Sequence, residues 1–146
     1  MTTIQKSALV PYTAEQMYDL VNDIESYPAF LPWCNDASVT VHAEDRLTAS
    51  LSMAAGKIKQ SFTTENTMEP GRCINVRLVS GPFRHLHGHW TFEPADEGRS
   101  CRISLEMDFE FRNKLLKLTL SKLFHHIVDT LVDAFTRRAV QVYGNA

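Results

Sequence analysis

The residue types able to do chemistry gather in four places along this 146-residue chain. The histidines His85, His87 and His89 alternate in sequence, and alternate residues of a strand share one face. Imidazoles at that spacing can ligate zinc or copper. The residues between them, Leu86, Gly88 and Trp90, look like the core side, so the histidines are expected to face solvent. No carboxylate within the pattern completes a coordination sphere, and no metal is expected. A second place is Arg138, which falls beside Leu120, Ile127 and Leu131 on a helical wheel. A guanidinium in an apolar stripe needs a partner. It either snorkels to water or forms a structural pair, or it meets the head group of a ligand.

The third place is the start of the same helix, where Arg112, Lys114 and Lys117 crowd together and Lys122 stands a turn later. A helix dipole favours acids there, but the penalty for exposed cations is only about a few tenths of a kcal/mol. Chance placement and a patch for RNA or phosphate therefore both stand. The fourth is Tyr27-Pro-Ala-Phe-Leu-Pro-Trp-Cys34, with three aromatics, a leucine and two prolines in eight residues. It reads as a rigid plug on the core edge and as the lining of a cavity mouth, two roles that are compatible. Catalytic signatures are missing: there is no GxSxG, P-loop, HExxH or GxGxxG. His125 and His126 stand at helical spacing from Asp129, a pairing common on helix surfaces. No catalytic residue is expected.

The elements that must position these groups are readable from periodicity. Cys101, Ile103, Leu105, Met107, Phe109 and Phe111 alternate with polar residues through Arg112, which predicts a strand with one dry face. After Asn113 the period becomes helical, with Leu116, Leu120, Leu123, Ile127, Leu131 and Ala134 on one side. Upstream, Thr3 to Val10 reads as a first strand. Thr13 and Gln16 form a capping box for a helix carrying Met17, Leu20, Val21 and Ile24. Pro28 and Pro32 limit the segment after it to a short helical turn and an ordered loop. Strands are predicted over 37–43, 47–53, 57–66, 74–78 and 86–92, divided by Gly56, Pro70-Gly71 and Gly81-Pro82. The expected fold is α+β, a helix-grip: a curved antiparallel sheet of about seven strands around a long C-terminal helix, with one or two short helices after the first strand. Such a design can leave an apolar cavity between sheet and helix.

Length fits a single domain, 1–146, with a sizeable core. The composition, 44% hydrophobic and 22% charged with net charge −2, is that of a globular protein without a global field for nucleic acid or anionic membrane. Three scattered cysteines without a CxxC pair suggest reduced thiols in a cytosol. No signal peptide or membrane-spanning run of ~20 residues is visible.

Three spaced motifs carry a family resemblance: Tyr27-Pro-x-Phe-Leu-Pro-Trp-Cys34, Gly81-Pro-Phe83 with Leu86-x-Gly-x-Trp90, and Ala134-Phe-x-x-Arg-Ala139 with Tyr143. Together with Val10-Pro-Tyr-x-Ala-Glu-Gln-Met-Tyr18, they make the chain resemble the RatA-type branch of the coenzyme-Q-binding START-like family (polyketide cyclase/dehydrase-like, SRPBCC). The resemblance implies the helix-grip (START/Bet v-like) fold and two functions. One is noncovalent carriage of ubiquinone or a similar polyprenyl lipid in support of respiration. The other is that of a toxin which binds the large ribosomal subunit and blocks subunit association. A cyclase-type enzyme is a third and weaker implication. The carrier is the leading expectation, with Tyr27, Phe30, Leu31, Pro32, Trp33, Phe83, Trp90, Leu120, Phe124, Ile127, Leu131 and Arg138 at the cavity or its mouth. The ribosome reading assigns contacts to Arg112, Lys114, Lys117 and Lys122, with Lys57, Lys59, Arg77 and Arg84 as scattered support. No cofactor is required under either reading, beyond a bound quinone or other hydrophobic ligand. The expected location is the cytoplasm, with transient contact at the inner membrane.

Overall fold

In the computed structural model, which describes residues 1–144, strand β1 (Thr2–Val10) leads into helix α1 (Ala14–Asn22). Thr13 starts that helix through the expected capping box: its side chain accepts from the Gln16 amide, and the Gln16 side chain accepts from the Thr13 amide. A 3-10 turn over Ile24–Ala29 holds Pro28, and Tyr27 donates its hydroxyl to the Val21 carbonyl. Next come strands β2 (Cys34–Ala43), β3 (Arg46–Ala55), β4 (Ile58–Glu69), β5 (Cys73–Ser80), β6 (Phe83–Ala95) and β7 (Ser100–Phe111), and then helix α2 (Lys114–Tyr143). The strands form one antiparallel sheet in the order β1-β7-β6-β5-β4-β3-β2. The first strand thus pairs with the last, Thr2 opposite Phe109 and Val10 opposite Cys101.

Strand β7 behaves as its alternation predicts: Cys101, Ile103, Leu105, Met107, Phe109 and Phe111 are all buried, while Arg102 and Glu106 are exposed. Burying side chains of this size contributes about 1.5–3 kcal/mol each. Helix α2 lies across that face on two aromatic anchors. Phe124 sits 4.7 Å from the Phe109 ring and 4.8 Å from Phe83. Phe135 sits 5.3–5.5 Å from Tyr27, Phe30 and Trp90. The buried stripe runs through Leu120, Phe124, Ile127, Val128, Leu131, Val132, Phe135 and Ala139, whereas Leu116, Leu123 and Ala134 of the expected stripe lie at its margin. The far end of α2 is tied to the N-terminal region. Tyr143 donates to the Gln16 carbonyl (2.9 Å), and Tyr12 donates to that of Gly144 (2.6 Å). No helix among the described residues is long and apolar enough to cross a membrane.

Candidate functional site

Two of the concave places coincide with the residues that the sequence singles out: the apolar space between sheet and helix, and a groove at the start of α2. The space is lined by side chains from the 3-10 turn and the loop after it, from β3 to β7 and from α2, including Tyr27, Trp33, Ala49, Leu51, Phe62, Trp90, Met107, Phe124, Ile127 and Leu131. Of the residues expected there, Tyr27, Trp33, Trp90, Phe124, Ile127 and Leu131 meet on it. Leu31, Phe83 and Leu120 are packed into the core outside its lining, and Pro32 is exposed. Arg138 is not at the cavity: its guanidinium lies 5.0 Å above the Phe30 ring and donates to Gln141 at 3.2 Å. The snorkelling reading of Arg138 is therefore the one that fits, because the stripe centres on Phe135 and Ala139 and leaves residue 138 at its edge. The cavity measures only about 80 Å³, against ~300–1,000 Å³ for ordinary small-ligand pockets. Large aromatics from both layers have filled it.

The groove at the start of α2 is larger, about 330 Å³. Asn113 opens the helix, its side chain accepting from the Leu116 amide at 2.9 Å. The Gly81-Pro82 turn holds the strand end beneath it. Arg112 donates its backbone amide to the Pro82 carbonyl and its side chain to the Gly81 carbonyl, while Arg84 donates to the Arg112 carbonyl (3.3 Å). Gly81 has φ +149°, and a Cβ there would stand 2.6 Å from Cβ of Phe62, so only glycine fits. Phe109 and Phe111 floor the groove, and Lys114, Lys117, Ser121 and His125 form one wall. Met1 and Thr2 stand opposite, with Arg84 and Glu110 completing the lining.

Lys114 and Lys117 thus come together as the sequence suggested. Arg112 is occupied by a carbonyl, and Lys122 lies outside the lining. His125 and Ser121 were missed, although Lys117, Ser121 and His125 are spaced by four and so share a helix face. The Ser121 carbonyl accepts from Nδ1 of His125 at 2.9 Å, which leaves Nε2 as the ring's other polar atom. Asp129 pairs with Lys6 at 2.7 Å instead of with either histidine. The first turn of α2 contains no acid, so its free amides add to the positive potential of the lysines. Beside Lys114 and Lys117, Leu115 and Leu118 are 73% and 83% exposed.

The alternating histidines do face away from the core, as expected, with Leu86, Gly88 and Trp90 buried behind them. Carboxylates absent from the local pattern are supplied by β7: Glu110, Asp108 and Glu106 stand opposite His85, His87 and His89. All three are engaged elsewhere, Asp108 by Thr3, Glu106 by Gln5 and Glu110 by Arg84 at 3.5 Å, and His89 bonds Asn75. Among the described residues no group of three or more His, Cys, Asp or Glu is arranged to hold a metal ion. The thiols of Cys34 and Cys101 are pushed up to about 11 by burial, which removes them as nucleophiles at neutral pH.

Residues 10–136 match the family model described as "Polyketide cyclase / dehydrase and lipid transport". The chain is 46% identical over 143 residues to the ribosome association toxin RatA of Pseudomonas aeruginosa, covering 98% of this chain and 99% of that one. It is 30% identical to the mitochondrial coenzyme Q-binding protein COQ10 homolog B of Xenopus laevis, over 95% of this chain and 58% of that one. The Zhui aromatase/cyclase from Streptomyces sp. R1128 superposes with a TM-score of 0.82 at 15% identity, over 99% of both chains.

Proposed function

The chain belongs to the polyketide cyclase / dehydrase and lipid transport family, and from that premise we propose that it is a nonenzymatic ribosome-binding protein. The cationic groove at the start of α2 docks on the RNA phosphate backbone of the large subunit. A protein seated there keeps the subunits apart and so inhibits initiation, with no cofactor needed.

The observation that carries this reading is the contrast between the two sites. The groove gathers Lys114, Lys117 and the unacidified start of a 30-residue helix around about 330 Å³ of space, with Glu110 in the lining neutralised by Arg84 at 3.5 Å. The sheet–helix cavity offers about 80 Å³. Cations positioned around a helix start bind phosphate through charge and free backbone amides. A cavity of the second size does not take a polyprenyl chain, which counts against the carrier. Full-length likeness to a protein named a ribosome association toxin supports the same choice.

The test is co-sedimentation of the purified protein with separated ribosomal subunits. Binding to large subunits is expected, with loss in a Lys114→Glu/Lys117→Glu variant that unfolds normally. Equal pelleting of variant and parent would refute the groove, and no pelleting with either subunit would refute the function.

A further inference from the structure

The open sheet has two edges, β1 and β2, and among the described residues each leaves a row of backbone N–H and C=O groups without a strand partner. Edge β1 is guarded. Lys6 stands on its partly buried side between Ile4 and Ala8, and its ammonium lies 2.7 Å from Asp129 of α2. A charge turned inward on an edge strand blocks further pairing. Edge β2 carries no inward charge: from Cys34 to Ala43 it contains no Lys, Arg or Pro, and the irregularities that could twist such an edge away lie only at its two ends. Asp36–Val41 pairs with β3 in unbroken register between two register shifts. Val41 is 69% exposed there.

The pattern of this segment is self-complementary. Ala37-Ser38-Val39-Thr40-Val41 reads apolar, hydroxyl, apolar, hydroxyl, apolar in either direction. We propose that β2 pairs antiparallel with β2 of a second copy of this chain, on a two-fold axis at Val39. The two sheets then join into one. Residues directly opposite in an antiparallel pair share a face, so the apolar side continues only if apolar residues oppose apolar ones. The Val39 axis satisfies this, placing Ala37 opposite Val41 and Ser38 opposite Thr40. It also places Asp36 opposite His42, whose ring already bonds Thr48, giving a carboxylate–imidazole contact on each side of the axis. An axis one residue later, at Thr40, would still oppose Val39 to Val41, but it sets Ser38 against His42 and carries Asp36 toward Glu44 in the turn after the strand, two like charges. An axis at Ser38 would set Val41 against Asn35. Only the Val39 register both continues the apolar side and opposes Asp36 to an imidazole. No β2 residue lines the cationic groove, so this pairing stands or falls separately from ribosome binding.

The full chain in sedimentation velocity at rising concentration should show its average mass climb from that of a monomer toward twice that value. Val39→Lys should hold it at the monomer mass. Mild oxidation of a Val39→Cys variant should form a disulfide dimer, since opposed Cα atoms lie about 4.5–5.5 Å apart, within disulfide reach. Val41→Cys should not, because in this register its two copies stand about 13 Å apart. A constant monomer mass overturns the proposal even if a cysteine variant fails to fold. So does a dimer in which Val41→Cys cross-links as readily as Val39→Cys.

Discussion

Replacing Lys114 and Lys117 by Gln removes two of the three lysine and arginine side chains that line the groove, leaving Arg84. The Asn113 cap and the Phe109/Phe111 floor are untouched, and both lysines are exposed, so stability should move by no more than about 0.5 kcal/mol. Binding should change in a way that a folding defect cannot imitate. Each phosphate neutralised releases counterions and contributes about −0.9 to the slope of log affinity against log salt. Arg84 is held by Glu110 at 3.5 Å, so the two lysines give a slope of about −1.8, and a fourfold rise in salt weakens binding to large subunits by about 12-fold. With both lysines gone and Arg84 paired with Glu110, the same rise should leave the double variant's binding nearly unchanged. The assay is a titration of labelled protein with purified large subunits at several salt concentrations. A double variant whose slope equals the parent's, or a parent slope near zero, would refute phosphate contact at this groove, whatever the absolute affinities.

Gly81→Ala should cost about 3 kcal/mol in denaturant unfolding, because φ +149° and the 2.6 Å approach to Phe62 both oppose a Cβ; a loss below about 1 kcal/mol would contradict that geometry. Filling the cavity with Ala49→Val should leave stability unchanged or raise it by up to about 1 kcal/mol, and a short-chain quinone should give no thermal protection to parent or variant. Protection of the parent that the variant loses would restore the carrier reading. The Asp129 carboxyl is held below its ordinary 3.8 by the hydrogen bond and charge of Lys6. A carboxyl depressed by folding adds stability that is present above its unfolded value and lost as pH falls through its folded one. Lys6→Met should therefore raise the Asp129 midpoint in an NMR titration and flatten the acid limb of stability; an unmoved midpoint would show that Lys6 is not the cause.

What the sequence made legible is what depends on local periodicity. Alternation in Cys101–Phe111 and the Thr13/Gln16 spacing describe a strand and a helix start because both patterns are complete within a few residues. The outward side of His85, His87 and His89 was readable for the same reason. Their carboxylate neighbours were not, since Glu106, Asp108 and Glu110 come opposite only through the β6–β7 register. Arg138 looked buried on an averaged wheel, whereas the face that packs is set by where Phe135 meets Tyr27, Phe30 and Trp90. Periodicity tells which side chains point inward but not how completely they fill the interior, so the roughly 80 Å³ cavity could not be foreseen. The lysines at the helix start were visible, but Met1, Thr2 and Arg84 reach them only through sheet pairing.

The walls of the groove come from opposite ends of the chain, Met1 and Thr2 on one side and Phe109 to His125 on the other. During translation the first strand emerges early and has no neighbour until β7 is made, about a hundred residues later. Residues still inside the exit tunnel cannot complete the pairing. A nascent copy therefore carries no assembled phosphate-binding surface until β7 and the first half of α2 have left the tunnel. Under the ribosome reading, topology delays inhibition behind synthesis: the molecule becomes able to act on a ribosome only once α2 has cleared the one that made it.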